Sequence, residues 1–472
     1  MLFNSIEFLI FLPIVTVLFY VLPHRWRWAM LLAASCFFYM WFIPKYILIL
    51  LVTIAIDYAA GILMERWDDD PRRKKTCLVV SIVSTCTVLF IFKYLNFCSE
   101  NLVALAHSLG WSHPDKVLSI ALPIGLSFHT FQSLSYVIEV FRGRQRAEHH
   151  AGYYALYVMF YPQLVTGPIE RPQNLLRQLH DEKTLSYDNV ARGLRLVLFG
   201  LFLKMVVADN LGALVDQIYE APERFGRIDI ALGMMLYSFQ IYGDFFGYSS
   251  IALGCARMMG FTLVDNFRAP YLSDSIREFW HRWHISLSTW FRDYLYIPLG
   301  GSRVALPRWM LNTMVVFTVC GIWHGANWTF MLWGAAYGLI LIAERGLREV
   351  HLFDRIGGRT GRAVVHALNI AKTFIIVTLL WSLFRAPSLG NLHSLYASLL
   401  AGGGTEHLAI GPAVWVALAA MVALCLAIRR SRFDEWCSHR SAIARWALYA
   451  AMIYTIIVYS PAEHYPFIYF QF

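Results

Sequence analysis

Long apolar runs recur along the whole chain, each of about 17 to 25 residues, the length that carries a helix across a bilayer core. Clear cases are residues 6–22, 46–64, 76–95, 117–141, 363–384 and 408–428. Counting the less regular middle gives roughly eleven to fourteen segments and predicts an all-α polytopic membrane protein. The first run lacks a basic leader and a small-residue cleavage site and carries Glu7, so it reads as a retained helix rather than a secretory signal. Residues 261–308 break the pattern. They are too polar to span lipid and too apolar for a free loop. Irregular backbone at membrane depth must be buried in protein or lie at the interface, so interfacial or re-entrant helices on the cytoplasmic side are expected there. No repeat or low-complexity tract divides the chain, which reads as a single domain over residues 1–472, with residues 460–472 as an aromatic tail.

Composition agrees with the pattern. Of the 472 residues 58% are hydrophobic and 15% charged, against about a quarter charged in a soluble domain. The formal charge of +9 would raise nucleic acid as a partner in a soluble protein; here the positive-inside rule accounts for it. Basic residues cluster in alternate loops: Arg25 and Arg27; Arg72 to Lys75; Arg142, Arg144 and Arg146; Arg345 to Arg362; Arg429 to Arg445. The intervening loops are poor in them. Helix parity then puts both termini outside the cytoplasm. The eight cysteines are scattered and form no C-x-x-C pair, so they read as small core residues and not as a metal site.

Candidate chemistry concentrates at three places. His324 sits in Gly321-Ile322-Trp323-His324-Gly325-Ala326-Asn327, at the turn of an apolar hairpin. Fifteen helical residues from Trp309 rise roughly 22 Å, which places the imidazole past the membrane midplane. Gly321 and Gly325 are expected to let the helix unwind around it. An ionisable group at that depth points to function; the alternative is a histidine that hydrogen-bonds two helices together. His281 and His284 form an H-x-x-H pair that would share one helix face, either as a metal-ligating spacing or as interfacial residues. Five arginines between 277 and 308, among them Arg282, Arg292 and Arg303, suit a polyanionic ligand and equally suit topology anchoring. Trp323 and Asn327, flanking His324, complete the candidate donor-binding set. The carboxylates Asp57, Glu139 and Asp244 lie in or near apolar runs and read first as helix–helix polar contacts. The tail, Tyr465 to Phe472, is aromatic, and either anchors at the interface or inserts into the protein and presents Tyr469.

Four stretches together resemble the membrane-bound O-acyltransferase family, and its bacterial branch that includes the alginate O-acetyltransferase membrane subunit. They are LPIGLSFHTFQSLSYVIEVFRG (122–143), VDNFRAPYLSDSIREFWHRWHISLSTWFRDYLYIPLGGSR (264–303), GIWHGANWTF (321–330) and FIYFQF (467–472). The resemblance implies a funnel-shaped core open to a thioester donor, acetyl-CoA or another acyl thioester, from the cytoplasm, with no permanently bound cofactor and no metal. It implies that His324 is the catalytic histidine, His284 the second histidine of the branch, and Tyr469 an acyl carrier. On this reading His324 acts as general base on the Tyr469 hydroxyl, His284 positions the thioester, and the arginines hold donor phosphates. Acetyl groups then pass to an extracytoplasmic, SGNH-hydrolase-like partner and an exported polysaccharide, from a bacterial inner membrane. Two departures leave the polymer open: relatives usually read D-F-S-G-Y-S-D where Phe246 and Ser250 stand here, and an arginine is common at His281.

Two rival classes remain to be separated. A di-iron oxidase needs about eight histidines where three cluster here, and a transporter or export channel would show matched broken helices. Incubation with labelled acetyl-CoA should acylate this protein or its products; a pure channel takes up no label.

Overall fold

The computed structural model describes residues 1–111, 122–165, 167–349, 359–461 and 465–468. Among them the secondary structure is helical, with two isolated bridges, Phe225–Glu406 and Phe267–Trp283. Five helices are long and apolar enough to cross a membrane: Pro44–Arg66, Pro71–Lys93, Trp328–Leu347, Thr360–Arg385 and Ala442–Tyr459. Two shorter apolar helices, Ile6–Val21 and Pro412–Ala427, accompany them. The apolar run at 117–141 begins outside the described residues up to 121. Its helix, Leu126–Phe141, starts after Gly125, whose φ of +79° is a left-handed conformation. That helix buries His129, Gln132 and five hydroxyl side chains, so it is a helix of the protein interior.

The chain divides into two compact units. One comprises Met1–Leu194 with Ala252–Val264. Its polar residues pair within the interior. The Asp57 carboxylate accepts from Ser81 at 2.6 Å and Thr85 at 3.1 Å. Glu139 accepts from Arg142 and Gln173, and Thr53 shares a hydrogen bond of 2.6 Å with the His129 ring. Asp57 and Glu139 are thus helix–helix contacts. The 252–264 segment joins this unit through Val264, whose N–H donates to the buried Glu170 carboxylate at 2.6 Å.

The second unit comprises Arg195–Ile251 with Asp265–Phe472. The amphiphilic stretch after 264 folds as two short helices, Ile276–Arg282 and Ile285–Phe291, followed by a π-helical turn, Arg292–Tyr296. Phe279, Trp283, Trp290 and Phe291 are buried, so irregular backbone is packed into protein here, as the absence of water requires. Next come the Leu306–His324 and Trp328–Glu349 helices. The expected unwinding at Gly321 does not occur: the helix continues to His324. Gly321 serves close approach instead. A Cβ there would stand 2.3 Å from the Phe330 carbonyl, and one at Gly334 would stand 2.2 Å from the Phe317 carbonyl. The two backbones touch, as small residues permit in membrane helices.

Gly334→Ala should therefore destabilise the protein by about 1–3 kcal/mol through overpacking. Gly346→Ala, on the same helix and facing open space, should stabilise it by about 0.5–1 kcal/mol. Thermal unfolding of the two purified variants in one detergent measures both.

Candidate active site

His324 is the last residue of its helix. The chain leaves in extended backbone at Gly325, where a Cβ would strike the Phe330 ring at 2.2 Å. The turn is held by Asn327, whose side-chain N–H donates to the Pro387 carbonyl at 2.9 Å and whose oxygen accepts from the Thr329 N–H at 3.1 Å. The buried imidazole is boxed by aromatic edges: Trp323 at 4.9 Å, Trp333 at 5.1 Å and Phe384 at 5.1 Å between ring centroids. Interplanar angles of 72° to 86° make these edge contacts, the geometry aromatic quadrupoles favour.

His284 lies between the two short helices, with φ 43° and ψ 56°. A left-handed conformation in a residue with a Cβ is costly, and such residues gather at functional sites. Local pairing holds it. The Arg268 N–H donates to the Arg282 carbonyl and the Ile285 N–H to the Asn266 carbonyl, each at 3.0 Å. The Asn266 side chain accepts from the Ser286 hydroxyl at 2.7 Å. The imidazole is fully buried, with its edge against Phe245 at 4.6 Å and 88°. The two histidines belong to one aromatic layer: Trp283, beside His284, lies 4.9 Å from Trp381; Trp381 lies 5.4 Å from Phe384; and Phe384 touches His324.

His281 and His284 do not share a helix face. The first helix ends at Arg282, and His281 is exposed, donating from Nδ1 to the Arg277 carbonyl at 2.7 Å. The H-x-x-H spacing is broken by the turn, so the two imidazoles stand on different elements. Of the candidate arginines, Arg282 pairs with Glu278 at 2.5 Å and Arg292 with Asp293 at 2.8 Å, while Arg303 is exposed. Asn327 is occupied in holding the turn.

Phe467 and Ile468 of the tail enter the protein. Phe467 is buried with its ring 4.5 Å from Tyr248 and 5.8 Å from Phe245, the residue that flanks His284. Ile468 is buried too, and its N–H donates to Asp244 at 2.7 Å. Tyr469 lies outside the described residues. Asp244 in turn meets Lys204 at 2.7 Å, and Lys204 meets Asp209 at 2.6 Å. Lys204 and Asp209 were not among the expected site residues. The signal was present: a lysine within the apolar stretch 196–208 is costly at membrane depth and marks an internal partner.

A family model for the membrane-bound O-acyltransferases matches residues 80–384. The chain is 37% identical over 404 residues to a "Probable alginate O-acetylase" of Pseudomonas aeruginosa, covering 85% of this chain and 75% of that one. It is 31% identical over 429 residues to a peptidoglycan O-acetyltransferase of Helicobacter pylori, covering 82% and 78%. A teichoic acid D-alanyltransferase of Streptococcus thermophilus is 28% identical over 285 residues, covering 55% and 68%. With two histidines buried in one aromatic layer and the matched segment spanning both, the chain belongs to the membrane-bound O-acyltransferase family and is a multi-pass membrane O-acyltransferase.

Proposed function

We propose that this enzyme is a single membrane-embedded domain that takes an acetyl group from a cytoplasmic thioester, acetyl-CoA being the simplest, and passes it outward for O-acetylation of an exported polysaccharide. The relatives that bear the names of alginate O-acetylase and peptidoglycan O-acetyltransferase support a polymer acceptor. The alternation of basic loops supports a bacterial inner-membrane protein with both termini on the outer side. On that side an SGNH-hydrolase-like partner would receive the group.

The observation that carries the reading is the arrangement around the tail: Phe467 packs on Phe245, Phe245 packs on His284, and the aromatic layer beside His284 reaches His324. In the proposed first step the His324 imidazole takes the phenolic proton of Tyr469. The phenol oxygen attacks the thioester carbonyl, the C–S bond breaks, and the thiol leaves with the proton held by His324. An acetyl ester on Tyr469 results. His284, rigid in its strained turn, orients the thioester, and the buried surroundings exclude the water that would hydrolyse it. Arg282, Arg292 and Arg303 supply charge for donor phosphates. Trp323 walls the imidazole of His324.

At equal membrane abundance, His324→Ala should lower acetyl transfer by about 10²–10⁴-fold, the usual contribution of a general base. Tyr469→Phe should abolish acetyl on the protein and on the polymer. Normal acetylation in His324→Ala sinks the base assignment; normal acetylation in Tyr469→Phe removes the relay and keeps the enzyme. Arg303→Ala should raise the KM for acetyl-CoA about tenfold with kcat unchanged, as expected for one lost charged hydrogen bond. Steady-state kinetics on reconstituted protein reads both parameters, and an unchanged KM argues against a phosphate contact.

A further inference from the structure

The Lys204–Asp209–Asp244 cluster is not explained by stability. Both carboxylates and the ammonium are nearly inaccessible, with side-chain exposures of 4% and 5%. Burying three charges costs desolvation that their attraction offsets only when geometry and hydrogen bonds are excellent, and an apolar replacement is often as stable. Such clusters are best attested where they set a register. Lys204 is aimed by a π-helical turn, Phe202–Ala208, with the Asp209 N–H closing onto the Lys204 carbonyl. One ammonium shared by two carboxylates leaves carboxylate oxygens that need a further donor. The group that supplements it is an amide: Asp244 uses one oxygen for Lys204 and the other for the Ile468 N–H.

The same region holds the chain at neighbouring points. Asn210, next to Asp209, donates to the Tyr459 carbonyl at 2.8 Å, where the Ala442–Tyr459 helix ends. Tyr465, Pro466 and Ile468 line one small cavity together with Lys204, Asp209 and Asp244. Phe467 rests on Tyr248, one helical turn beyond Asp244. Backbone recognition at 468 is blind to the side chain there but specific for position along the chain, since it is the Ile468 N–H that meets Asp244.

We propose that the Lys204–Asp209–Asp244 cluster is a latch that fixes the C-terminal segment by accepting the Ile468 amide proton, and so positions Tyr469, the next residue, for acylation. This rests on the reading of Tyr469 as acyl carrier. Lys204, Asp209 and Asp244 act through the tail, as positioning residues. Lys204, held by Asp209, orients Asp244, and Asp244 holds the tail.

The test uses the full-length protein in lipid nanodiscs with two variants. Asp244→Ala removes the acceptor; Ile468→Pro removes the donated N–H and leaves the cluster intact, so the proposal stays open to refutation if Asp244→Ala fails to fold. Two readouts are taken: carboxypeptidase release of the C-terminal residues, followed by intact mass, and transfer of labelled acetyl from acetyl-CoA. Both variants should be trimmed at least tenfold faster than the wild type, with kcat lowered about tenfold and the KM for acetyl-CoA unchanged. Wild-type trimming rates in the folded variants overturn the latch. Faster trimming with wild-type acetyl transfer overturns the positioning role. A Tyr469→Phe protein that transfers acetyl normally to the polymer overturns the acyl-tyrosine reading instead, and the latch is then decided by trimming alone.

Discussion

Hydrocarbon offers no hydrogen bonds, so every polar group this chain carries to membrane depth must find its partner inside the protein. That constraint explains features that otherwise look unrelated. Asp57 is surrounded by the hydroxyls of Ser81 and Thr85, and Glu139 by Arg142 and Gln173. Lys204 is clasped by two aspartates. The irregular stretch after residue 264 is tolerated because its tryptophans and phenylalanines bury it in the second unit, and because backbone bonds such as Ile285 to Asn266 satisfy the turns between its short helices.

The same constraint shapes the surroundings of His324 and His284, whose buried imidazoles rest against aromatic rings. Edge-on contacts of this kind suit the aromatic quadrupole. Rigidity comes from two sources. The glycines of the Leu306–His324 and Trp328–Glu349 helices bring the backbones together beneath His324. The left-handed turn at His284 is held by pairing of residues 266–268 with 282–285, and that strain persists only because neighbouring bonds over-determine it.

The segment at 465–468 obeys the same constraint. Here two successive apolar residues, Phe467 and Ile468, are buried, and the amide between them is satisfied by a carboxylate. The price of burying that carboxylate is met by Lys204, so the ion cluster and the tail are a single device within the second unit.

Much of this was legible in the amino-acid order. Apolar run length determined a helical membrane protein, because bilayer thickness sets segment length. The burial demanded of the aromatic residues within 261–308 followed from the same solvent argument. Asp57 and Glu139 read correctly as internal contacts, since an isolated carboxylate has no place there. What only the tertiary structure decided depends on backbone geometry and on long-range partners. Helical spacing put His281 and His284 on one face, but the helix stops at Arg282, and a left-handed residue turns the second imidazole inward. Gly321 looked like a point of unwinding; whether a glycine loosens a helix or lets another approach is set by the neighbour, here Gly334, which local pattern does not contain. Asn327 was read as part of a donor-binding set, and its tie to Pro387, sixty residues on, is a contact that local pattern does not contain. The cluster that receives the tail joins Lys204, Asp209, Asp244 and Ile468, residues whose separations in the chain carry no periodic signal. Charge marked Lys204, Asp209 and Asp244 as needing partners, and only folding chose which.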